Sequence, residues 1–455
     1  MWVDVDDSAG AAFALLLAGH AASLRLLGVS TTYTQSSPGL VRPAAAATAV
    51  ALTLLHSSGL SHVPVVEGCA RPLVRAVAIA DEEPASTAAT LFPDARAVDA
   101  KAVNYLAAVL SGAHARLGRA VTLVALGALT NIALLLRVHP EAARDIERVV
   151  VIGGPLLPAL GGLGGSGAAS PVQADAEAAA VVFESGVPVV LLPRDAAAQR
   201  VPEDVADALD SGAGVGDEAG ADSEDGAGPG SSSTFRAMLS SLLTSLATPA
   251  PNARARAGAA AHHDDGAGED TSADNSSIET GDDSRRDGSE GPGGAAARGH
   301  REQQRPMSQP RILELSAVYL LLAPEAFESR LLHVEIERTP GSVAYGQVIA
   351  DWGGVRPHTS ATPRNCTLCS RLWDAAPMWR ALLQAVAAAD AGSALNTAGE
   401  QKRARARIAA HGASIAISAA ASSGPRSPAA VAAERALAAV SPLRSPANAF
   451  WTPAR

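Results

Sequence analysis

Short apolar runs alternate with helical stretches along the first 200 residues, as in a parallel sheet covered by helices. Six runs predict strands, at Trp2–Asp6, Leu24–Thr32, Val63–Glu67, Val121–Leu126, Val149–Ile152 and Val187–Leu192. The stretches between them predict helices, for example Pro43–Leu55, Lys101–Leu117, Asn131–Leu136 and Ala174–Ser185. Two of the runs, 149–152 and 187–192, are continuously apolar, as expected of strands buried on both faces. The pattern predicts an α/β fold with a mainly parallel sheet flanked by helices.

The alternating pattern stops near residue 200 and returns at Arg311. Asp, Glu, Gly, Ser, Ala and Arg dominate residues 201–310, which predicts a disordered insertion because too few apolar groups are available to offset the entropy of ordering. One amphipathic stretch beginning at Phe235 is a candidate helix within it. Because long surface insertions cost little closure entropy, we expect the insertion to be dispensable for stability.

Beyond the insertion the pattern predicts further ordered elements, namely helix Ile312–Leu322, strands Leu332–Glu337 and Gly346–Trp352, and helix Met378–Ala389. We therefore expect residues 1–200 and 311–390 to form the two parts of one domain. Residues 391–455 are rich in Ala, Ser and Arg and predict a low-complexity tail.

Composition narrows the class of protein. The net charge of −10 argues against nucleic-acid binding, and no run of about 20 apolar residues predicts a membrane span. Three cysteines are too few for a disulfide framework and favour a reducing compartment, so a cytoplasmic location is expected. Cys366 and Cys369 form a single C-x-x-C without the second pair that a zinc site needs, so coincidence or a structural thiol pair is the better interpretation.

Two carboxylates stand on alternate residues at the end of the first predicted strand. Asp4 and Asp6 lie in the run Trp2–Gly10, and an apolar helix follows from Ala11. Ligands of open α/β sheets bind beyond the carboxyl ends of the strands, where carboxylates can hold a hard cation and activate a water. The alternative is an acidic loop that caps the helix, because aspartate is favoured at helix N-caps for its own sake.

Several separated segments together resemble one enzyme family. They are Asp4–Ala11, Val65–Val74, Val124–Ala133, Val150–Gly154, Asp175–Ala179 and Ala317–Glu325. In this order they are similar to the inosine-uridine-preferring nucleoside hydrolases, which open with strand-D-x-D-P-G-x-D-D-helix and carry a G-P-L-T-N-I-A loop. The resemblance covers residues 1–200 and 311–390.

The resemblance implies hydrolysis of the N-glycosidic bond of a ribonucleoside, a small-molecule substrate, to ribose and free base. It also implies a calcium ion that binds water and the ribose hydroxyls. Asp6 falls on the metal-binding general base and Asp4 on the supporting aspartate before it. Thr130 falls on the threonine whose backbone carbonyl binds the ion, and Glu314 on the acid that closes the metal site, with one extra methylene.

The remaining site positions depart from the family pattern. Gln35 stands where the family has an asparagine after the second strand, and with Asn131 it is a candidate substrate-binding residue. Asp7 replaces the motif proline and is a candidate supporting carboxylate. Gly10 and Ala11 replace the paired aspartates, which removes one metal ligand and one ribose contact.

Further polar groups of the family are missing. Ala169 stands in a replaced E-F-N segment, and Leu313 stands where the family has a histidine before the metal-closing acid. Three hypotheses follow: a nucleoside hydrolase with weak turnover, a catalytically inactive member acting in binding or assembly, and an enzyme on a changed glycosidic substrate. The chain is also a candidate homo-oligomer.

Overall fold

The computed structural model of the chain describes residues 1–37, 39–80, 92, 95–154, 170–194, 198–211, 233–247, 311–342, 344–354 and 364–396. Its strands are β1 Trp2–Val5, β2 Val29–Thr31, β3 Thr34–Ser37, β4 Leu40–Arg42, β5 Val65–Glu67, β6 Ala78–Ile79, β7 Val121–Ala125, β8 Ile146–Gly153, β9 Val189–Pro193, β10 Gln199–Arg200, β11 Arg311–Ile312, β12 Phe327–Leu332, β13 Val334–Ile336, β14 Val348–Ala350 and β15 Cys366–Leu372.

The α-helices of the described residues are α1 Ala9–His20, α2 Ala44–Ser57, α3 Ala102–Leu117, α4 Thr130–Val138, α5 Pro171–Ala174, α6 Ala176–Phe183, α7 Glu203–Ser211, α8 Thr234–Ala247, α9 Glu314–Leu322 and α10 Ala376–Ala391. Short 3₁₀ turns are Pro140–Asp145, Pro324–Ala326 and Ala394–Asn396. Within the described part of the chain, no helix is both long enough and apolar enough to cross a bilayer.

Eight strands form the central sheet, in the order β12-β15-β9-β8-β7-β1-β2-β5. Every pairing is parallel except that of the edge strand β12, which runs antiparallel to β15. The sheet confirms the predicted α/β fold, and all six strands predicted in the first 200 residues belong to it. Because β15 pairs with β9, residues beyond 311 complete the same sheet.

The sheet separates two apolar layers, since alternate strand residues point to opposite faces. Val3, Val5 and Val124 join a cluster with helices α1, α2, α9 and α10. Trp2 and Leu123 join the other cluster, with helices α3, α4 and α6. The core is therefore built from both sequence segments, with helices on each side of the sheet.

The C-x-x-C motif lies within strand β15. Cys366 contributes to the apolar cluster on one face of the sheet, and Cys369 to the cluster on the other. Residues three apart on a strand point to opposite faces. Both thiols are free and buried, and burial raises the pKa of Cys369 to about 12. The C-x-x-C spacing of the two cysteines is therefore a coincidence of the sequence of β15.

The two strands predicted after Arg311 form a separate hairpin, β13–β14, outside the central sheet. The sheet strands β12 and β15 were not predicted. Strand β12 exposes four consecutive residues, Glu328–Leu331, because it lies at the sheet edge, so it lacks the apolar alternation of an inner strand.

The prediction of disorder does not hold for two stretches inside residues 201–310. Helices α7 and α8 pack on the body, and Phe235, Leu239 and Leu209 are at most 1% exposed. Arg236 Nε lies 2.6 Å from Asp390 Oδ2 and fastens α8 to α10. The amphipathic stretch thus supplies apolar surface that the body needs. Residues 212–232, 248–310 and 397–455 lie outside the described residues, and the ordered body extends to Asn396.

We expect Phe235→Ala to lower the free energy of unfolding by about 3–5 kcal/mol, the usual cost of truncating a buried phenylalanine. Urea unfolding followed by circular dichroism measures this, and Ser241→Ala on the exposed side of the same helix is the matched control. Equal stability of the two variants would mean that α8 is dispensable, as the sequence alone suggested.

Candidate active site

The candidate site lies where the strand order of the sheet reverses. From β1 the chain proceeds outward through β2 to β5 at one edge, and then returns to β7 on the other side of β1. Asp4 and Asp6 stand at the carboxyl end of β1, and Thr130 begins the helix that follows β7. Such a reversal opens a crevice at the strand ends, which is the usual ligand position in open α/β sheets.

Asp4 is buried beneath this crevice and is only 1% exposed. Its Oδ1 accepts hydrogen bonds from the Ser30 hydroxyl on the neighbouring strand and from Asn131 Nδ2, the latter at 2.8 Å. Its Oδ2 is buried and has no hydrogen-bond partner among the described residues. Burial raises the pKa of Asp4 to about 7, although both hydrogen bonds oppose the shift.

Asn131 ties three segments together. Its Nδ2 donates to Asp4 and to the Thr31 carbonyl at 2.9 Å, and its Oδ1 accepts from the Cys69 amide at 2.9 Å. A β-carbon on Gly68 would overlap both the Thr31 carbonyl oxygen and the Asn131 amide, so only glycine permits this approach. Both donors of Asn131 are used within the protein, and its role as a substrate contact stays a prediction.

Thr130 takes part in a second buried network. Its hydroxyl donates to Asp175 Oδ2 at 2.7 Å and lies 3.3 Å from the Tyr33 hydroxyl. Asp175 also accepts from the Leu73 amide at 2.8 Å and, through Oδ1, from the Ala178 amide at 3.0 Å, which caps α6. Burial raises the pKa of Asp175, against these hydrogen bonds. The network fixes the loop after β7 from the side opposite Asp4.

Sequence reasoning missed Ser30, Tyr33 and Asp175 as parts of the site. Ser30 pairs with Asp4 in the register of the two strands, but it precedes two threonines, so no local signal distinguishes it. Asp175 is separated from Thr130 by 45 residues, and only the fold brings them together.

Asp6 is partly buried at the start of the loop that leads into α1. One of its oxygens, Oδ1, accepts from the Ser8 amide at 3.0 Å, and Ser8 in turn caps the helix. Burial, then the charge of Asp7 and that of Glu314, raise the pKa of Asp6 to about 7. Asp6 is therefore a candidate proton acceptor held at the mouth of the crevice.

Asp7 forms an ion pair with Arg42, at 2.6 Å between Oδ1 and the guanidinium. Its amide donates to the Thr34 hydroxyl at 3.3 Å. Asp7 thus fastens the opening loop to strands β3 and β4, and its role as a supporting carboxylate of the site stays a prediction. Gln35 is the second residue of β3 and is buried. Its role as a substrate contact stays a prediction.

Glu314 is the first residue of α9, the helix that packs on α1. Its Oε2 accepts from the Leu313 amide at 3.0 Å, and its carboxylate lies against Gly10. Burial raises the pKa of Glu314, and the Arg194 guanidinium opposes this shift. The charge of Glu314 contributes to the raised pKa of Asp6, and the metal site predicted to be shared by the two carboxylates stays a prediction.

The donor set falls short of what calcium requires. Calcium takes about six to eight oxygen ligands, several of them charged. No group of three His, Cys, Asp or Glu side chains within the described residues could hold a metal ion. Ala11, where the family supplies a carboxylate, lines a small apolar recess with Val5 and Leu15. Asp6, Glu314 and the Thr130 carbonyl do not make a complete calcium site.

Comparisons with known proteins agree with the geometry. The family profile described as inosine-uridine preferring nucleoside hydrolase matches residues 1–268. A pyrimidine-specific ribonucleoside hydrolase RihA of Shewanella woodyi is 32% identical over 212 residues, 45% of this chain and 63% of the relative. RihA of Citrobacter koseri is 37% identical over 146 residues, 31% of this chain and 44% of the relative. The chain thus matches between 44% and 63% of the length of these relatives.

Solved structures share the fold. A plant nucleoside hydrolase superposes with a TM-score of 0.54 at 16% identity, covering 85% of this chain and 98% of that one. A purine-preferring ribonucleoside hydrolase from Gardnerella vaginalis gives 0.52 at 13% identity, covering 86% and 98%. These similarities concern the fold, and the profile match spans more than half of the sequence. The chain belongs to the inosine-uridine preferring nucleoside hydrolase family.

Proposed function

We propose that the protein hydrolyses the N-glycosidic bond of ribonucleosides, releasing the free base and ribose with low turnover. The observation that carries this proposal is the pair of carboxylates, Asp4 and Asp6, at the carboxyl end of β1 beside the strand reversal. Family membership supplies the reaction class. The relatives named above act on pyrimidine and purine ribonucleosides, so both classes of base are candidates.

Asp6 is the base of the proposed reaction. Its Oδ1 is held by the Ser8 amide, which leaves the second oxygen to take a proton from water. The water oxygen then bonds to C1′ of the ribose, and the C1′–N bond breaks with its electrons passing to the base. The base takes a proton from solvent, to which the protonated Asp6 later returns its own. The sugar carries positive charge in such a transition state, and the neighbouring carboxylate of Glu314 would stabilise it.

Asp4, Asn131 and Thr130 position this machinery in the proposal. The hydrogen bond from Asn131 to Asp4 joins the start of α4 to β1, and Thr130 is held by Asp175. Asp4 is buried, so in the proposal it acts by holding Ser30 and Asn131 in place and not by contact with the substrate. No step is assigned to calcium, since the donor set is incomplete.

Low turnover follows from the residues that replace charged groups. Gly10 and Ala11 bring no side-chain oxygen, and Leu313 cannot protonate the departing base. Each charge-assisted hydrogen bond lost is worth about 1.5–3 kcal/mol, which corresponds to about one to two orders of magnitude in rate.

The proposal is tested by incubating the full chain with inosine, uridine and pseudouridine and measuring free base by chromatography. Hydrolysis predicts base release from inosine or uridine but none from pseudouridine, whose base is joined through carbon. Absence of release from all three would contradict the proposal.

A second candidate function is nucleoside binding without catalysis. It is favoured by Gly10 and Ala11, which lack the carboxylates that the family pattern has at these positions. Calorimetric binding of uridine without release of uracil would support this alternative.

We expect calcium to bind no more tightly than millimolar, because affinity follows the number of charged ligands. Isothermal titration with calcium chloride measures this, and Asp6→Asn should give the same small heats as the natural chain. A micromolar site that disappears in Asp6→Asn would contradict the incomplete donor set.

A further inference from the structure

Gly10 is an unusual residue for its position. It is the second residue of α1, buried, and within a run of alanine and leucine. Glycine lowers helix stability relative to alanine because its backbone loses more freedom on folding. Gly10 is not among the glycines with positive φ, so the backbone does not require it. The reason for glycine here is therefore the space that a side chain would take.

That space is filled by Glu314 from the neighbouring helix. A β-carbon on Gly10 would lie 2.5 Å from Glu314 Cδ and 3.0 Å from Oε1, and closer still to Oε2. The whole carboxylate therefore stands where a side chain of α1 would begin. Glu314 is held there by the Leu313 amide, at 3.0 Å from Oε2.

We infer that Gly10 is the positioning residue for Glu314, and that the carboxylate stands against the first turn of α1 only because position 10 has no side chain. The two positions form a coupled pair. Glu314 on α9, with its longer side chain, replaces the aspartate that the family pattern has at position 10 on α1. Any side chain at position 10 must displace the Glu314 carboxylate or push α1 away from α9. The steric part of this inference stands by itself, whereas the catalytic part rests on the proposed function.

Thermal unfolding of matched variants tests the steric coupling. Gly10→Ala should lower Tm by about 5 °C, the usual consequence of overpacking in a domain of this size, although alanine favours the helix. Glu314→Asp, one methylene shorter, should restore most of this loss in Gly10→Ala/Glu314→Asp. Glu314→Gln keeps the length of the side chain, so Gly10→Ala/Glu314→Gln should not recover the lost Tm. The single variants Glu314→Asp and Glu314→Gln complete the cycle. A rise of Tm in Gly10→Ala, or equal rescue by Gln and Asp, would overturn the coupling.

Uridine turnover by the same variants tests the positioning role, because loss of packing alone would not follow this pattern. Gly10→Ala should lower kcat by at least about tenfold with little change in KM, and the Asp double variant should recover part of it. Unchanged kcat in Gly10→Ala would reduce the pair to packing and overturn the positioning role. If the natural chain releases no uracil, the proposed function fails, and the Tm cycle still decides the coupling.

Discussion

Asp6→Asn will lower the kcat/KM for base release from uridine by about 10²–10⁴, the usual contribution of a general base. Asparagine keeps the shape of the side chain and can still accept from the Ser8 amide through its oxygen, so the loop and α1 should stay in place. What is lost is the ability to take a proton from water. Initial rates of uracil release, measured by chromatography, give the ratio.

The matched control for this variant is Asp99→Asn, an exposed carboxylate outside the site, which should leave the rate unchanged. Circular dichroism should show the same fold in all three proteins. An Asp6→Asn variant that releases uracil as fast as the natural chain would show that the proton acceptor lies elsewhere.

Asn131→Ala will lower the free energy of unfolding by about 2–4 kcal/mol, because it leaves buried partners without a hydrogen bond. The variant deprives the Thr31 carbonyl and the Cys69 amide of their bonds. It also removes one of the two hydrogen bonds that offset the burial of Asp4, so the carboxylate becomes more costly to keep ionised. Urea unfolding at neutral pH measures the difference.

Asn104→Ala on the exposed side of α3 is the matched control, and its change should stay within about 0.5 kcal/mol. Equal unfolding midpoints for Asn131→Ala and Asn104→Ala would mean that the Asp4–Asn131 hydrogen bond does not organise the site.

The inner strands of the sheet could be predicted from the sequence because each is buried on both faces. Strand β9 and residues 149–153 of β8 are buried and form continuous apolar runs, and β7 is buried with Thr122 as its one polar residue. The edge strand β12 could not be predicted, since its exposed residues need no apolar alternation. Helix α8 shows the limit of compositional arguments: fourteen residues within a polar segment carry enough apolar surface to dock on the body.

The candidate site could be predicted only where the chain itself carries a motif. Asp4 and Asp6 are visible as alternate acids at a strand end, and Thr130 and Asn131 as a loop before a helix. Their partners Ser30 and Asp175 are distant in sequence, and packing alone decides that they meet. The close approach of Glu314 to Gly10 depends on how α9 packs on α1, which no local pattern reveals.

The most direct test of the proposed hydrolysis is the stoichiometry of uridine cleavage by the full chain in phosphate-free buffer. The account predicts slow release of uracil and ribose in equal amounts, independent of added phosphate and lost in Asp6→Asn. The proposed hydrolysis is contradicted if the natural chain releases no more uracil than Asp6→Asn, at an enzyme concentration high enough to reveal less than one turnover per hour.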